Sequence, residues 1–141
     1  MKIILIVEDT EDDVFFLMRA LKTVKTPHRT QVVTDGRQAL EYMAGTGLYG
    51  DRSLYPLPHL LLLDLNLPYV PGLEVLKKIR QNKRHDNVTV AILTSSLHDD
   101  DMSESIRLGA NHYLVKPPDP VKLAGILESP MGAPPNRIIK S

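Results

Sequence analysis

Residues 60–68 have the sequence Leu-Leu-Leu-Leu-Asp-Leu-Asn-Leu-Pro, in which a continuous apolar run ends at a carboxylate. Four leucines with no polar residue at every second position predict a β-strand that is buried on both faces, as in a parallel sheet. Three other apolar runs are similar, at residues 3–7, 88–93 and 113–115. A weaker one lies at residues 30–34. The sequence therefore predicts five strands, and Asp64 ends the third of them.

Between these runs, apolar residues recur at spacings of three and four, which is the period of an amphipathic helix. Thr10 and Asp13 resemble a capping box at the start of the first helix. Gly45 and Gly109 stand where C-caps of later helices are expected. Strands that alternate with helices predict an α/β fold. We expect five βα units that form one doubly wound, five-stranded parallel sheet with helices on both faces, as a single domain.

Composition excludes several classes of protein. The chain has 141 residues, 17 basic and 17 acidic, so its formal net charge of zero gives no reason to expect a nucleic-acid or membrane partner. It has no cysteine, which excludes disulfides and thiolate metal sites. No apolar run approaches the roughly 20 residues of a membrane span, and the first residues lack the features of a signal peptide. We therefore expect a cytoplasmic protein.

The C-terminal region departs from a regular βα pattern. Prolines at 130, 134 and 135 predict that the domain covers residues 1–129 and that residues 130–141 form a short tail. A last helix of residues 120–129 would be roughly 15 Å long. Such a short helix leaves apolar surface near Val121, Ala124 and Leu127. We expect a homodimer to cover this surface; the alternative is that Ile138 and Ile139 fold back onto it.

Polar residues follow four of the five predicted strands, and the carboxyl ends of parallel strands meet at one edge of the sheet. These residues provide three carboxylates, two hydroxyls and an ammonium: Glu8 and Asp9, Asp64, Thr94 and Ser95, and Lys116. A cluster of carboxylates offers a cation only oxygen ligands, which suit Mg²⁺. An ammonium, a hydroxyl and the backbone N–H of Ser95 can bind phosphoryl oxygens, and a carboxylate beside Mg²⁺ can act as a nucleophile toward phosphorus.

These residues resemble the motifs of response-regulator receiver domains in two-component signalling, over about residues 1–128. The matching motifs are the acidic pair Glu8-Asp9, the Leu-Asp-Leu-Asn-Leu-Pro of residues 63–68, Gly72-Leu73, Leu93-Thr94-Ser95 and residues 113–117, Tyr-Leu-Val-Lys-Pro. The resemblance implies a flavodoxin-like sheet with strand order 2-1-3-4-5. The long connection of residues 45–59 resembles that of single-domain regulators paired with bacteriophytochromes and related hybrid kinases.

The resemblance also implies a role for each site residue. Asp64 accepts a phosphoryl group from a histidine kinase. Asp9 and Asp64 bind Mg²⁺ directly with the backbone carbonyl of Asn66, and Glu8 binds it through water. Lys116, Thr94 and Ser95 bind the phosphoryl group, and Thr94 and Tyr113 form the switch. The peptide bond before Pro117 is cis, and Asn66 and Ser96 flank the path of the hydrolytic water. The signal leaves through the surface of the fourth helix, fifth strand and fifth helix, to a partner protein or a phosphorelay.

An alternative function is a Mg²⁺-dependent phosphohydrolase that passes through an aspartyl phosphate. That enzyme needs a second acid two residues after its nucleophile, where this chain has Asn66. We therefore favour a signalling phospho-acceptor and not an enzyme. We interpret the remaining acids of the first helix, Glu11, Asp12 and Asp13, as residues that favour its N-terminal dipole.

Overall fold

The computed structural model describes residues 1–95 and 99–129. Ser96 and the predicted tail, residues 130–141, lie outside the described residues. The strands are β1 (Lys2–Val7), β2 (His28–Val33), β3 (Leu60–Asp64), β4 (Thr89–Thr94) and β5 (His112–Val115). The helices are α1 (Glu11–Lys22), α2 (Gly36–Ala44), α3 (Gly72–Gln81), α4 (Asp99–Arg107) and α5 (Pro120–Glu128).

All five strands are parallel and form one sheet in the order β2-β1-β3-β4-β5. This order confirms the predicted flavodoxin-like topology. Side chains on the inner strands alternate between two cores: Leu61 and Leu63 face the core beneath α2 and α3, whereas Leu60 and Leu62 face the core beneath α1 and α5. Both faces of β3 are therefore buried, which explains why this strand has no polar face in the sequence.

The two edge strands differ from the prediction because each has a neighbour on one side only. In β5 only Leu114 is buried, and Val115 is 39% exposed. In β2 only Val33 is buried. This strand begins at His28, two residues before the apolar run that predicted it.

The helix ends test the predicted caps. Gly45 is the C-cap of α2 with a left-handed φ of 70°, and Gly109 follows α4 with a φ of 109°, which confirms both predictions. The predicted capping box is wrong. Thr10 is the N-cap of α1 but makes no side-chain capping hydrogen bond, and the Asp13 carboxylate bonds elsewhere, as described below.

Helix α5 covers more of the sheet than its length suggested. Leu127 is fully buried and Ala124 is half-buried, so the expected gap is absent at these two positions. Val121, on the outer face of α5, is 77% exposed, as expected. No helix in residues 1–95 and 99–129 is both long and apolar enough to cross a membrane.

Gly72 brings the start of α3 against the end of β3. A Cβ atom at this position would lie 2.3 Å from the carbonyl oxygen of Asp64 and 2.7 Å from the Cα atom of Leu65. We expect Gly72→Ala to lower the free energy of unfolding by about 1–3 kcal/mol, because backbone must move to admit the methyl group. Urea unfolding measures this change.

Gly125→Ala is the matched control, because a Cβ at this position of α5 has no described heavy atom within 4 Å apart from its chain neighbours and the backbone of its own helix. It should raise stability by roughly 0.5–1 kcal/mol, since alanine loses less conformational entropy in a helix than glycine. Equal effects of the two substitutions would contradict the steric role of Gly72.

Candidate functional site

Three carboxylates meet at the carboxyl ends of β1 and β3. One oxygen from each of Glu8, Asp9 and Asp64 lies within 4.8 Å of the other two. Glu8 and Asp64 are buried, whereas Asp9 is exposed. The sequence predicted this grouping, and it follows from the register: Val7 pairs with both Val33 and Leu63, so the residues after β1 and β3 emerge side by side.

The Lys116 ammonium, directly after β5, contacts this cluster. Its Nζ atom lies 2.7 Å from Glu8 Oε2 and 3.4 Å from Asp64 Oδ1. The side chain is only 16% exposed. The peptide bond between Lys116 and Pro117 is cis, as predicted. The predicted ammonium is therefore in place beside the predicted acceptor carboxylate.

Asp13 is a site residue that the sequence analysis missed. Lys116 Nζ donates a hydrogen bond to Asp13 Oδ2 at 2.9 Å, which is shorter than its contact with Asp64. Asp13 lies in the first turn of α1, where acidic residues are ordinarily explained by the helix dipole. Its partner is 103 positions away in the chain, so local spacing could not have identified it.

Burial and charge act against each other on the Glu8 carboxyl and the Lys116 ammonium. Burial raises the pKa of Glu8 above its ordinary value, and the contact with Lys116 opposes this rise only in part. Burial lowers the pKa of Lys116, but its contacts with Glu8 and Asp13 outweigh burial and leave the pKa above its ordinary value. The ammonium thus stays charged in a partly buried place because carboxylates surround it.

Backbone N–H groups hold the loop of residues 65–71, which connects β3 to α3. The N–H of Asn66 donates to Asp64 Oδ1 at 3.2 Å, and the N–H of Gly72 donates to the carbonyl of Leu65 at 3.0 Å. The first bond fixes one oxygen of the Asp64 carboxylate, and the second holds the start of α3 against the end of β3. The Asn66 side chain is exposed.

The predicted switch residues lie on neighbouring strands: Thr94 ends β4, and Tyr113 is the second residue of β5. Thr94 is buried, with 1% of its surface exposed, and Ser95 after it is exposed. Tyr113 is half-buried against the core beneath α2 and α3 and is hydrogen-bonded to the Thr94 side chain. Burial and the Asp101 charge raise the pKa of the Tyr113 hydroxyl. The two side chains are thus in direct contact.

A cavity of about 290 Å³ adjoins Lys116 between α1 and the segment that follows β5. Its lining is mainly apolar and includes Phe16, Leu17, Leu93, Pro117 and Pro118. Phe16 is half-exposed and stacks edge-to-face on the exposed ring of Phe15, with the ring centroids 5.6 Å apart. An exposed aromatic pair therefore lies next to the acidic site.

A doubly wound parallel sheet with clustered carboxylates and one ammonium at its carboxyl edge is the arrangement expected of a receiver domain. The family model of the response regulator receiver domain matches residues 4–128. The chain therefore belongs to the receiver-domain family of two-component signalling. Proteins of this family are signalling phospho-acceptors with a divalent metal at an acidic pocket.

Similar proteins include response regulators associated with phytochromes. The response regulator Rcp1 of Synechocystis is 39% identical over 115 residues, which is 82% of this chain and 76% of that protein. The crystal structure of the Mn²⁺-bound form of Rcp1 matches with a TM-score of 0.76 at 36% identity, covering 91% of this chain and 90% of that one.

Two further structures are similar. The phosphorylated cyanobacterial phytochrome response regulator RcpA has a TM-score of 0.76 and 34% identity, covering 90% of this chain and 89% of that one. The bacteriophytochrome response regulator AtBRR has a TM-score of 0.79 and 35% identity, covering 91% of both chains.

We expect Lys116→Ala to lower the free energy of unfolding by about 3 kcal/mol, because it leaves the buried Glu8 carboxylate beside Asp64 without a counter-charge. Adding Glu8→Gln to the same chain should restore part of this loss, since the amide keeps the shape and removes the charge. Urea unfolding at neutral pH measures both changes.

Lys122→Ala removes an exposed lysine of α5 and is the matched control, with an expected change within about 0.5 kcal/mol. If Lys116→Ala were as mild as this control, the ammonium would not stabilise the carboxylate cluster.

Proposed function

We propose that this protein is a response regulator that accepts a phosphoryl group on Asp64 from a histidine kinase, in a Mg²⁺-dependent reaction. One observation carries this proposal: the Lys116 ammonium lies 3.4 Å from Asp64 Oδ1 at the edge where three carboxylates converge. A nucleophile, a cation site and a fixed positive charge are therefore adjacent. The phosphorylated relative RcpA supports the same chemistry.

The donor atoms are all oxygens, which suits a hard divalent cation. In this proposal Asp9 and Asp64 bind Mg²⁺ directly with the Asn66 carbonyl, and Glu8 binds it through water. When bound, the cation offsets the negative charge that gathers during phosphoryl transfer. The Mn²⁺-bound form of the relative Rcp1 supports the binding of a divalent ion.

The transfer requires only the acceptor and its charge partners. An oxygen of Asp64 attacks phosphorus and forms an O–P bond, while the N–P bond of the phosphohistidine breaks and its electron pair stays on the imidazole. Lys116, the Thr94 hydroxyl and the backbone N–H of Ser95 bind the phosphoryl oxygens. Asn66, which the family resemblance assigns to the path of the attacking water, is not a carboxylate, so we infer slow hydrolysis of the acyl phosphate.

Phosphorylation would be transmitted through Thr94 and Tyr113. These side chains are hydrogen-bonded to each other, so movement of the Thr94 hydroxyl toward a phosphoryl oxygen removes a partner of Tyr113. Tyr113 belongs to β5, between α4 and α5. We infer that the change alters the α4-β5-α5 surface for partner binding or phosphorelay.

The proposed kinase partner would dock beside Asp64. The exposed ring of Phe16 lines the cavity next to Lys116 and contacts the exposed ring of Phe15, and exposed aromatic groups are typical contacts in protein interfaces. The phytochrome-associated relatives favour a bacteriophytochrome or a related hybrid kinase as this partner.

We also infer a homodimer through the α4-β5-α5 surface. Met102, Val115 and Val121 lie on these three elements, and each of their side chains is at least 39% exposed. Exposed apolar residues on one such surface favour association.

Asp64→Asn tests the acceptor. Wild-type protein with Mg²⁺ and acetyl phosphate should gain one phosphate by intact mass, and Asp64→Asn should gain none, because the amide is not an anionic nucleophile. Persistent labelling of this variant would exclude Asp64 as the acceptor. Many turnovers per chain would instead favour a phosphohydrolase.

Asp9→Asn tests the cation site. It should remove Mg²⁺ binding and labelling together, because the Asp9 carboxylate is a direct ligand in this proposal. Asp51→Asn changes an exposed acid of the 45–59 connection and is the matched control, which should label like wild type. Full labelling of Asp9→Asn would contradict the direct-ligand role.

Val121→Asp tests the dimer. Sedimentation should give a dimer for the wild type and a monomer for this variant, because the new charge would be desolvated in an apolar contact. Leu48→Asp is the matched control, since Leu48 is 82% exposed in the 45–59 connection, outside α4, β5 and α5. A wild-type monomer at high concentration would rule out the homodimer.

A further inference from the structure

The Lys116 ammonium has as many carboxylate partners as it has donors. An ammonium carries three N–H groups, and within the described residues Lys116 has ion pairs to three side chains, Glu8, Asp13 and Asp64. Oxygens of Glu8 and Asp13 lie 2.7 and 2.9 Å from the ammonium, so a phosphoryl oxygen on Asp64 competes with these carboxylates for the N–H groups of Lys116.

Burial indicates which carboxylate can leave. The Glu8 side chain is 1% exposed, so loss of Lys116 would leave an unpaired charge out of water. Asp64 carries the incoming group and stays in place. The Asp13 side chain is 35% exposed, so water can solvate it once Lys116 departs. Release of Asp13 is thus the least costly of the three.

Asp13 also differs from its neighbours on α1. Glu11 and Asp12 precede it in the same helical turn and are exposed. Lys116 is paired with Asp13 and not with either of these two acids. The first turn of α1 therefore contains one acid that contacts the site and two that add only distant charge.

We propose that Asp13 is a positioning residue that holds Lys116 in the unphosphorylated state and competes with the phosphoryl group for its ammonium. This inference rests on the proposed function, because it assigns Lys116 to the phosphoryl group on Asp64. Asp13 then sets how readily the site accepts phosphate, and it does so through Lys116 without touching phosphorus.

Asp13→Asn weakens the competing contact and keeps the side-chain shape. With Mg²⁺ and acetyl phosphate, the labelling reaction forms a bond between an Asp64 oxygen and phosphorus and releases acetate with the electron pair of the broken P–O bond. We expect this variant to label about two- to fivefold faster than wild type, the range that a partly exposed ion pair supports. Its affinity for beryllofluoride, an anion that mimics the acyl phosphate, should rise by the same factor at equilibrium.

Two further variants separate position from charge. Asp12→Asn removes the same charge from the adjacent residue and should change both measurements less than Asp13→Asn. Asp13→Glu restores a carboxylate and should return both measurements toward the wild-type values. A purely structural role for Asp13 would change the melting temperature without this increase in beryllofluoride affinity.

Four outcomes would overturn the inference. Equal effects of Asp12→Asn and Asp13→Asn would show that charge alone matters. Slower labelling and weaker beryllofluoride binding in Asp13→Asn would show that Asp13 assists Lys116 and does not compete for it. If wild-type protein gained no phosphate, the proposed function would fail and this inference with it, whereas labelling that depends on Asp64 but not on Asp13 would overturn the inference alone.

Discussion

The site depends on one ammonium among several carboxylates. Two of those carboxylates, Glu8 and Asp64, are buried, and like charges at such short range cannot share a low-dielectric place without a counter-charge. Lys116 supplies this charge, and its contacts with the carboxylates keep its own pKa high despite burial. If either the ammonium or the carboxylates were removed, the remaining buried charge would bear the full free-energy cost of desolvation.

The sheet makes this arrangement possible because its strands are parallel. β1, β3 and β5 end at the same edge, so residues far apart in the chain emerge together without long loops. β3 lies between β1 and β4, which puts Asp64 near the centre of this edge. The close approach of Gly72 to the Asp64 carbonyl then packs the start of α3 against Asp64. Asp64 is thus held by backbone, whereas the ammonium reaches it from the residue after the edge strand β5 on a long side chain.

The sequence predicted the inner strands of the sheet better than its edge strands. The four leucines before Asp64 are buried on both faces, and a strand in that position leaves a continuous apolar run that can be recognised. An edge strand such as His28–Val33 has one solvated side, so its composition resembles that of a loop. The predicted start of this strand was therefore two residues too late in the chain. The site residues at strand ends were predicted because parallel topology alone brings them together.

Asp13 shows where local pattern fails, because neither local interpretation of this residue identified its partner. The spacing from Thr10 suggested a capping box, and the first helical turn suggested a dipole effect, yet the carboxylate bonds to Lys116 instead. A short acidic side chain at a helix start can satisfy either a local N–H or a distant cation. Both bonds would be charge-assisted, but the Lys116 ammonium carries a full positive charge and a backbone N–H only a partial one, and Asp13 bonds to the ammonium. A helix that begins beside a cluster of buried charges can thus present one first-turn acid to that cluster, and the side of the helix that faces the lysine determines which acid it is.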